Sequence, residues 1–466
     1  MSDKKPPPIQ LFRKPTYKTI ATDCDLLDLF RKVEKQFEDC FIFESLGEES
    51  HISRYSILGF DPEKIYYADG KELIVKDRSG HEERYPSENP YYLLREIMPQ
   101  DVISRRYAGG LTGYIGYDSM NYFEPTLDLQ SRDDFNAFRF GLYKDGIIFD
   151  KMTGEMIYFY YDENRMDMIS DLTHQKSVPS GDLKVEFVGE TMTKGQHSEA
   201  VKKVKKNIIE GKIFQCEVGF KKRFLLKGDP LNIYEKMREE NPSPQMFFIK
   251  FGEQKVIGAS PELLFRLRQG EMETYPLAGT TKRGTNSEED TGYARCLLRD
   301  PKEIAEHNMI VDLHRNDIGR VAKFGTVKVR NLMDIKRFSH VQHISSEIVG
   351  IMSEEEDMFS ALASNFPAGT LTGAPKIEAM KIIDSMEVDG RGPYGGAVGY
   401  FSFNGDCTFA IPIRTLFANG ENAYVQTCGG NVFDSNPEDE YEEIQRKFAG
   451  TKKVLDHFLV VEETSQ

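Results

Sequence analysis

The chain has 466 residues, 39% of them hydrophobic and 29% charged, with 31 Phe and 22 Tyr but no Trp, a balance that suits a globular fold rather than a disordered chain. At about 150 residues per domain that length allows two or three domains or one large unit. The formal net charge of −15, with no local basic patch to offset it, excludes nucleic acid as a natural partner; a small anion would have to be met by Arg, Lys, backbone N–H groups or a metal.

No apolar run approaches the roughly 18 residues that cross a bilayer, so no membrane association is expected. The opening MSDKKPPPIQLFRKP has no hydrophobic signal core, which points to the cytoplasm. Six Cys (24, 40, 216, 296, 407, 428) include no C-x-x-C pair and read as reduced thiols, neither a zinc site nor a disulfide framework.

The first half alternates short strand-like runs with turns: 41–45 (FIFES), 55–60, 64–77, 110–119 (GLTGYIGYDS), 141–150 and 156–162. Asp-Gly and Asn-Gly turns between β-branched and aromatic runs favour antiparallel hairpins over βαβ units. From 163 to 192 the chain turns polar, helical and then loop-like, and the reading places a boundary at 190, with one domain over 1–190 and another over 191–466. The second half opens with a helix at about 193–210, then strands near 213–224, 244–250, 255–258, 263–268 and 270–275, and helices near 301–314 and 375–387. GGAVGYFSF, CTFAIPIRTLF and NAYVQTCGG follow as three strands, before a last helix from Pro437 to about 458. Strands and helices without regular βαβ alternation indicate an α+β fold. GGLTGYIGYDS and GGAVGYFSFNG echo one another; a duplication and a coincidence of Gly-rich hairpin strands both remain open.

Two helices open alike. Pro301 stands at a first helical position with Glu303 and Glu306 three apart on one face, and Pro437 is followed by Glu440, Glu443 and Lys447 at i, i+3 and i+7. Two readings stand: acids favoured by the helix dipole at a solvated N-terminus, or four hard oxygen donors for a divalent cation, Mg²⁺ before Ca²⁺. A di-iron site would want Glu-x-x-His, and His307 is one position short of that spacing. PAGTLTGAPKIEAMKIIDSME (367–387) is a Gly-rich turn entering a helix at Pro375, either an anion seat or a plain loop-to-helix joint; it is neither a Walker loop nor a dinucleotide fingerprint.

Seven blocks occur in order: PLAGTTKRG (276–284), DPKEIAEHNMIVDLHRNDIGRV (300–321), FSHVQHI (338–344), PAGTLTGAPK (367–376), RGPYGGAVGYF (391–401), AIPIRT (410–415) and DSNPEDEYEE (434–443). Their order and spacing resemble those of the chorismate-using enzymes, most closely the anthranilate synthase branch, over nearly the whole chain. The resemblance implies an α+β chorismate-binding fold in which large antiparallel β-sheets pack as a sandwich surrounded by helices. It further implies that Mg²⁺ is held by Glu306 and Glu443 directly, with Glu303 and Glu440 holding its waters. Arg414, Tyr394 and Lys447 match groups binding the enolpyruvyl side of chorismate, and Gly279, Thr280, Thr370 and Gly429 match contacts around the ring. Glu262, in SPELL, matches the acid that protonates the departing ring hydroxyl, which needs a raised carboxyl pKa. His343 matches a histidine of the pyruvate-elimination step; alone, a strand histidine reads as structural.

Gln215 stands where water-adding relatives carry a lysine base, and Ala278 where the aminodeoxychorismate branch carries a nucleophilic lysine. Both imply ammonia attack on chorismate to give anthranilate and pyruvate, at the entry to tryptophan synthesis. No glutaminase elements are present, so the resemblance implies a separate glutamine amidotransferase subunit as partner. FIFES, with Glu44, Ser45 and then Ser56, resembles a tryptophan-binding motif, and NPSPQMF (241–247), with Pro244 and Met246, resembles its second half. These imply feedback inhibition by L-tryptophan, although Gln245 replaces an aromatic there. Thr427, Cys428, Asn431 and the segment CEVGF (216–220) also depart from the family pattern. The alternatives are an aminodeoxychorismate synthase component and a non-catalytic binding protein on the same fold.

Overall fold

A computed structural model of the chain describes residues 5–46, 54–99, 102–337 and 341–460. Its short strands assemble into two twelve-stranded sheets, each drawing strands from both sides of residue 190. In the first sheet Asp39–Glu44 pairs antiparallel with Gln245–Phe251, and in the second Gly110–Ile115 pairs antiparallel with Ala397–Ser402. The two Gly-rich echo segments are therefore neighbours, with Gly113 opposite Gly399.

Beyond those two seams, each half repeats one pairing scheme. In the first half Thr16–Ile20 pairs Glu155–Tyr160, the Asp39–Glu44 and Tyr55–Phe60 hairpin pairs Asp145–Asp150, and Lys64–Asp69 pairs Phe138–Tyr143. In the second half Gln215–Gly228 pairs Asn422–Asn431, the Gln245–Phe251 and Gln254–Ser260 hairpin pairs Thr415–Asn419, and Leu263–Arg268 pairs Cys407–Ala410.

Strand alternation builds the layers. Phe41, Phe247 and Phe417 of the first sheet meet Tyr114, Phe140 and Phe401 of the second in one buried cluster. Their sequence neighbours Ile42, Phe248 and Leu416 turn the other way, into a second cluster roofed by Phe30 of the helix Leu26–Gln36, Tyr234 of Leu231–Glu240 and Val454 of Pro437–Asp456. The α+β sandwich expected from the sequence is observed. No described helix is long and apolar enough to cross a membrane.

Two runs read as single strands divide between the sheets. The run at 141–150 splits into Phe138–Tyr143 in the second sheet and Asp145–Asp150 in the first. CTFAIPIRTLF splits into Cys407–Ala410 and Thr415–Asn419, because Pro412 has no N–H for a ladder and Arg414 takes φ = 50°. The polar stretch before 190 ends in a strand, Leu183–Glu190, of which only Val185 is buried, leaving little periodicity to read. The helices Leu26–Gln36, Pro90–Ile97, Leu231–Glu240, Ser287–Leu297 and Met358–Asn365 are additional to those anticipated.

Candidate active site

The helix Pro301–Gly319 packs on Leu277–Lys282 and Val341–Ile351 of the second sheet, and Pro437–Asp456 packs on Asn422–Asn431 of the first. Both begin where expected: Asp300 accepts from the N–H groups of Lys302 and Glu303, Asn436 from that of Glu438, and each helix carries Pro in its first turn. Between them opens a cleft of about 690 Å³.

Glu303, Glu306, Glu440 and Glu443 all line this cleft. Burial raises the pKa of Glu303, Glu306 and Glu440, and the facing carboxylate of Glu443 adds to the rise in each. Glu440 Oε2 is buried without a hydrogen-bond partner, while Glu443 pairs with Lys447 at 2.8 Å. Among the described residues no group of three or more His, Cys, Asp or Glu side chains is arranged to hold an ion by itself. The donor set nevertheless suits a hard cation that takes only one or two carboxylates and keeps water: all oxygen, mutually repelling, with one buried atom lacking a donor. His307 is not part of it, since its ring bonds to Ala278 O at 3.2 Å and Ser346 Oγ at 2.7 Å.

Glu262 and Arg414 occupy neighbouring crossings between the sheets. The chain passes from Gln254–Ser260 to Leu263–Arg268 through Pro261 and Glu262, and returns from Cys407–Ala410 to Thr415–Asn419 through Arg414. The two crossings are stitched by Ile411 N–H donating to Glu262 O (3.1 Å) and Ala259 N–H to Arg414 O (3.3 Å). Glu262 is buried and accepts from Thr370 Oγ1 at 3.0 Å; burial, reinforced by the Glu217 carboxylate, raises its pKa to about 7. Arg414 lines the cleft with no hydrogen bond or ion pair from its guanidinium among the described residues. His343 shares a 2.9 Å hydrogen bond with Thr280 Oγ1, and burial, then the Arg414 charge, pushes its pKa down to about 4. Gly279 has φ = 83°, and a Cβ there would stand 3.1 Å from Glu303 Oε2.

The floor of the cleft is the pair of strands Gln215–Gly228 and Asn422–Asn431. Gln215 and Glu217, two apart, face the cleft, whereas Cys216 and Val218 pack beneath the helix Lys376–Met386. Gln215 Nε2 donates to Glu217 Oε1 (3.1 Å), Cys428 Sγ to Glu217 Oε2 (3.4 Å) and Tyr394 Oη to Cys428 Sγ (3.1 Å). Lys447 donates to Cys428 O at 3.1 Å, and although burial opposes its charge, Glu217 and Glu443 hold its pKa above the ordinary value. Thr370 and Tyr394, expected at substrate, line the cleft but bond Glu262 and Cys428. Gly429 does not line the cleft: its open side meets Glu440 Oε2, where a Cβ would come within 3.3 Å. Asn431 lies behind the strand, donating to Cys216 O (3.2 Å) and Gly429 O (2.9 Å), with Oδ1 unpartnered. Sequence reading missed Glu217; its spacing of two from Gln215 on one strand was the available signal.

A second cavity, of about 130 Å³, lies near the seams joining the halves. Glu44, Ser45, Pro244 and Met246 line it, as does Gln245; Ser56 does not, although its neighbours Tyr55 and Ile57 do, because alternation turns Ser56 to the opposite face. Tyr234 Oη donates to Glu44 at 2.7 Å and Arg238 pairs with the same carboxylate at 2.8 Å.

Residues 25–453 match the family described as chorismate binding enzyme. The chain is 51% identical to anthranilate synthase component 1 of Leptospira biflexa, over 97% of this chain and 98% of that protein. It is 41% identical to the protein of the same name from Methanothermobacter thermautotrophicus, over 92% of each. A crystal structure of anthranilate synthase component I from Streptococcus pneumoniae superposes with a TM-score of 0.74 at 30% identity, covering 87% of this chain and 94% of that one.

Proposed function

The chain belongs to the chorismate binding enzymes, and from that premise we propose that it converts chorismate and ammonia to anthranilate and pyruvate. The observation that carries this reading is the facing pair at the two sheet crossings: a buried Glu262 with a pKa raised to about 7, and an Arg414 guanidinium without a partner among the described residues. An acid that keeps its proton near neutral pH can deliver it to a departing hydroxyl, and an unpaired guanidinium can bind a substrate carboxylate through two parallel hydrogen bonds. Gln215 and Ala278, both lining the cleft, carry no amine to act as a base for water or as a covalent nucleophile, which favours ammonia as the attacking group.

In the proposed sequence ammonia adds at ring C2 while Glu262 protonates the C4 hydroxyl as it leaves. His343, neutral at ordinary pH because its pKa lies at about 4, accepts the ring C2 proton as the C3–O bond breaks, and the enolpyruvate released takes up a proton at its methylene carbon to become pyruvate. Lys447 and Arg414 hold the enolpyruvyl carboxylate. Mg²⁺ is the proposed metal, with Glu306 and Glu443 as direct ligands and Glu303 and Glu440 on its waters; bound there it would offset the four carboxylates and attract the ring carboxylate of the substrate.

A separate glutamine amidotransferase supplies the ammonia in this reading. L-Tryptophan is the proposed inhibitor at the smaller cavity, supported by the run 241–247, whose first residues, Asn241 to Ser243, line the cleft while Pro244 to Phe247 line the cavity. Mixing the chain with chorismate, Mg²⁺ and ammonium is expected to produce anthranilate fluorescence that EDTA abolishes and L-tryptophan lowers. An amino-substituted but non-aromatic product, or none, would overturn the reading.

A further inference from the structure

Glu217 is a buried carboxylate in the cleft that the proposed sequence does not use. It sits opposite Gly430 in the strand pair, and a Cβ at 430 would come within 2.5 Å of Glu217 Oε1 and 2.9 Å of Gln215 Nε2, so a residue without a side chain keeps this corner open. The Gln215 amide and the Cys428 thiol occupy two of the carboxylate's roughly four acceptor positions, leaving acceptor capacity toward the cleft. Because Gln215 spends an N–H on Glu217, its amide oxygen is a second acceptor beside the first.

Glu443 and Lys447 face Glu217 from the helix Pro437–Asp456, Glu306 from Pro301–Gly319, Cys428 from the neighbouring strand and the Glu262 carboxyl from the sheet crossing. Two adjacent oxygen acceptors suit a small cation with several N–H donors.

Building on the reading that this cleft adds nitrogen to chorismate, we propose that Glu217 and Gln215 seat the amino donor as ammonium and that Glu217 takes its proton. One N–H bond breaks and one carboxyl O–H bond forms, turning ammonium and carboxylate into ammonia and carboxylic acid, and the freed lone pair then attacks the ring. Burial raises the Glu217 pKa to about 7, which suits a base working near neutral pH.

The test uses the whole chain with chorismate, Mg²⁺ and ammonium chloride, comparing wild type with Glu217→Gln and Glu217→Asp. Glu217→Gln is expected to raise KM for ammonium about tenfold or more, as for loss of one hydrogen bond to a charged group. KM for chorismate stays within about twofold by the same reasoning, since Glu217 lies outside the carboxylate-binding pair. The pH dependence of kcat/KM for ammonium moves to higher pH, where free ammonia is more abundant, and Glu217→Asp falls between the other two. An unchanged ammonium KM, or a rise confined to chorismate, would overturn the proposal and leave Glu217 as a counter-ion for Lys447. Should Glu217→Gln lose its native near-ultraviolet circular dichroism, Glu217→Asp decides by the same criteria. A wild-type chain that makes no anthranilate from ammonium removes the underlying reading, and this proposal with it; normal wild-type turnover with unaltered variants removes only the proposal.

Discussion

The two halves of the molecule cross between the same two sheets in the same way, yet only one pair of crossings lines the large cleft. In the first half the chain leaves Tyr55–Phe60 through Asp61, Pro62 and Glu63; in the second it leaves Gln254–Ser260 through Pro261 and Glu262. Both halves thus place Pro-Glu at the crossing, and both crossing regions hold a non-glycine residue at positive φ, Asp61 at 48° and Arg414 at 50°. What differs is satisfaction. Glu63 pairs with Lys144 at 2.8 Å, and Arg165 bridges Asp145 at 2.8 Å and Asp61 at 2.7 Å. Glu262 has only a threonine hydroxyl, and Arg414 has no ion pair among the described residues. One architecture therefore supplies a structural clamp where its charges are closed and a binding cleft where they are open.

The sharpest way to break this comparison is to neutralise the matching carboxylates. Glu262→Gln is expected to cut kcat about 10³-fold or more, as for removal of a general acid, with chorismate binding retained by calorimetry. Glu63→Gln is expected to leave kcat unchanged. Equal losses would show that the crossings do not differ as argued.

Matched arginine deletions come next. Arg165→Ala leaves the buried Asp145 without its cation, while Asp61 keeps Arg78 at 3.2 Å, and is expected to lower unfolding stability by about 3 kcal/mol in urea titrations, without changing KM. Arg414→Ala strands none, so stability should hold while KM for chorismate rises roughly 10- to 100-fold, the loss of charged hydrogen bonds to substrate. A large stability loss in Arg414→Ala would contradict its open state.

The smallest effect is on stability against pH. Glu262 has a folded pKa of about 7 against an ordinary 4.5, so the folded state binds more protons between those values. Its contribution to stability is therefore greatest at low pH, falls as pH rises from about 4.5 to 7, and levels off above; Glu217 acts in the same direction. Glu262→Gln should gain on wild type by about 1–3 kcal/mol between pH 5 and pH 8 in denaturant titrations without Mg²⁺. Parallel curves would mean that the Glu262 carboxyl is not held above its ordinary value.

Much of this was legible before any coordinates. Pro301 with Glu303 and Glu306, and Pro437 with Glu440, Glu443 and Lys447, announce two capped helices with one acidic face each, because helix starts and i, i+3 spacing are local properties. Alternation and turn residues likewise predicted antiparallel sheets. Glu217 escaped because its one local signal, the spacing of two from Gln215, does not tell which face of the strand meets a cleft, and Gly429 was expected at the substrate although its open side faces Glu440.

Sequence alone determined many of the strands, the two acidic helix starts and the resemblance that groups Glu262, His343 and Arg414, since propensity, capping and ordered blocks are written along the chain. Tertiary structure decided which runs divide between the sheets, where Pro412 and Arg414 bend the chain across, and which charges are left open. Whether a carboxylate meets a lysine, as Glu63 does, or a cleft, as Glu262 does, depends on partners distant in sequence. Burial then sets its pKa, and burial is a property of the folded whole.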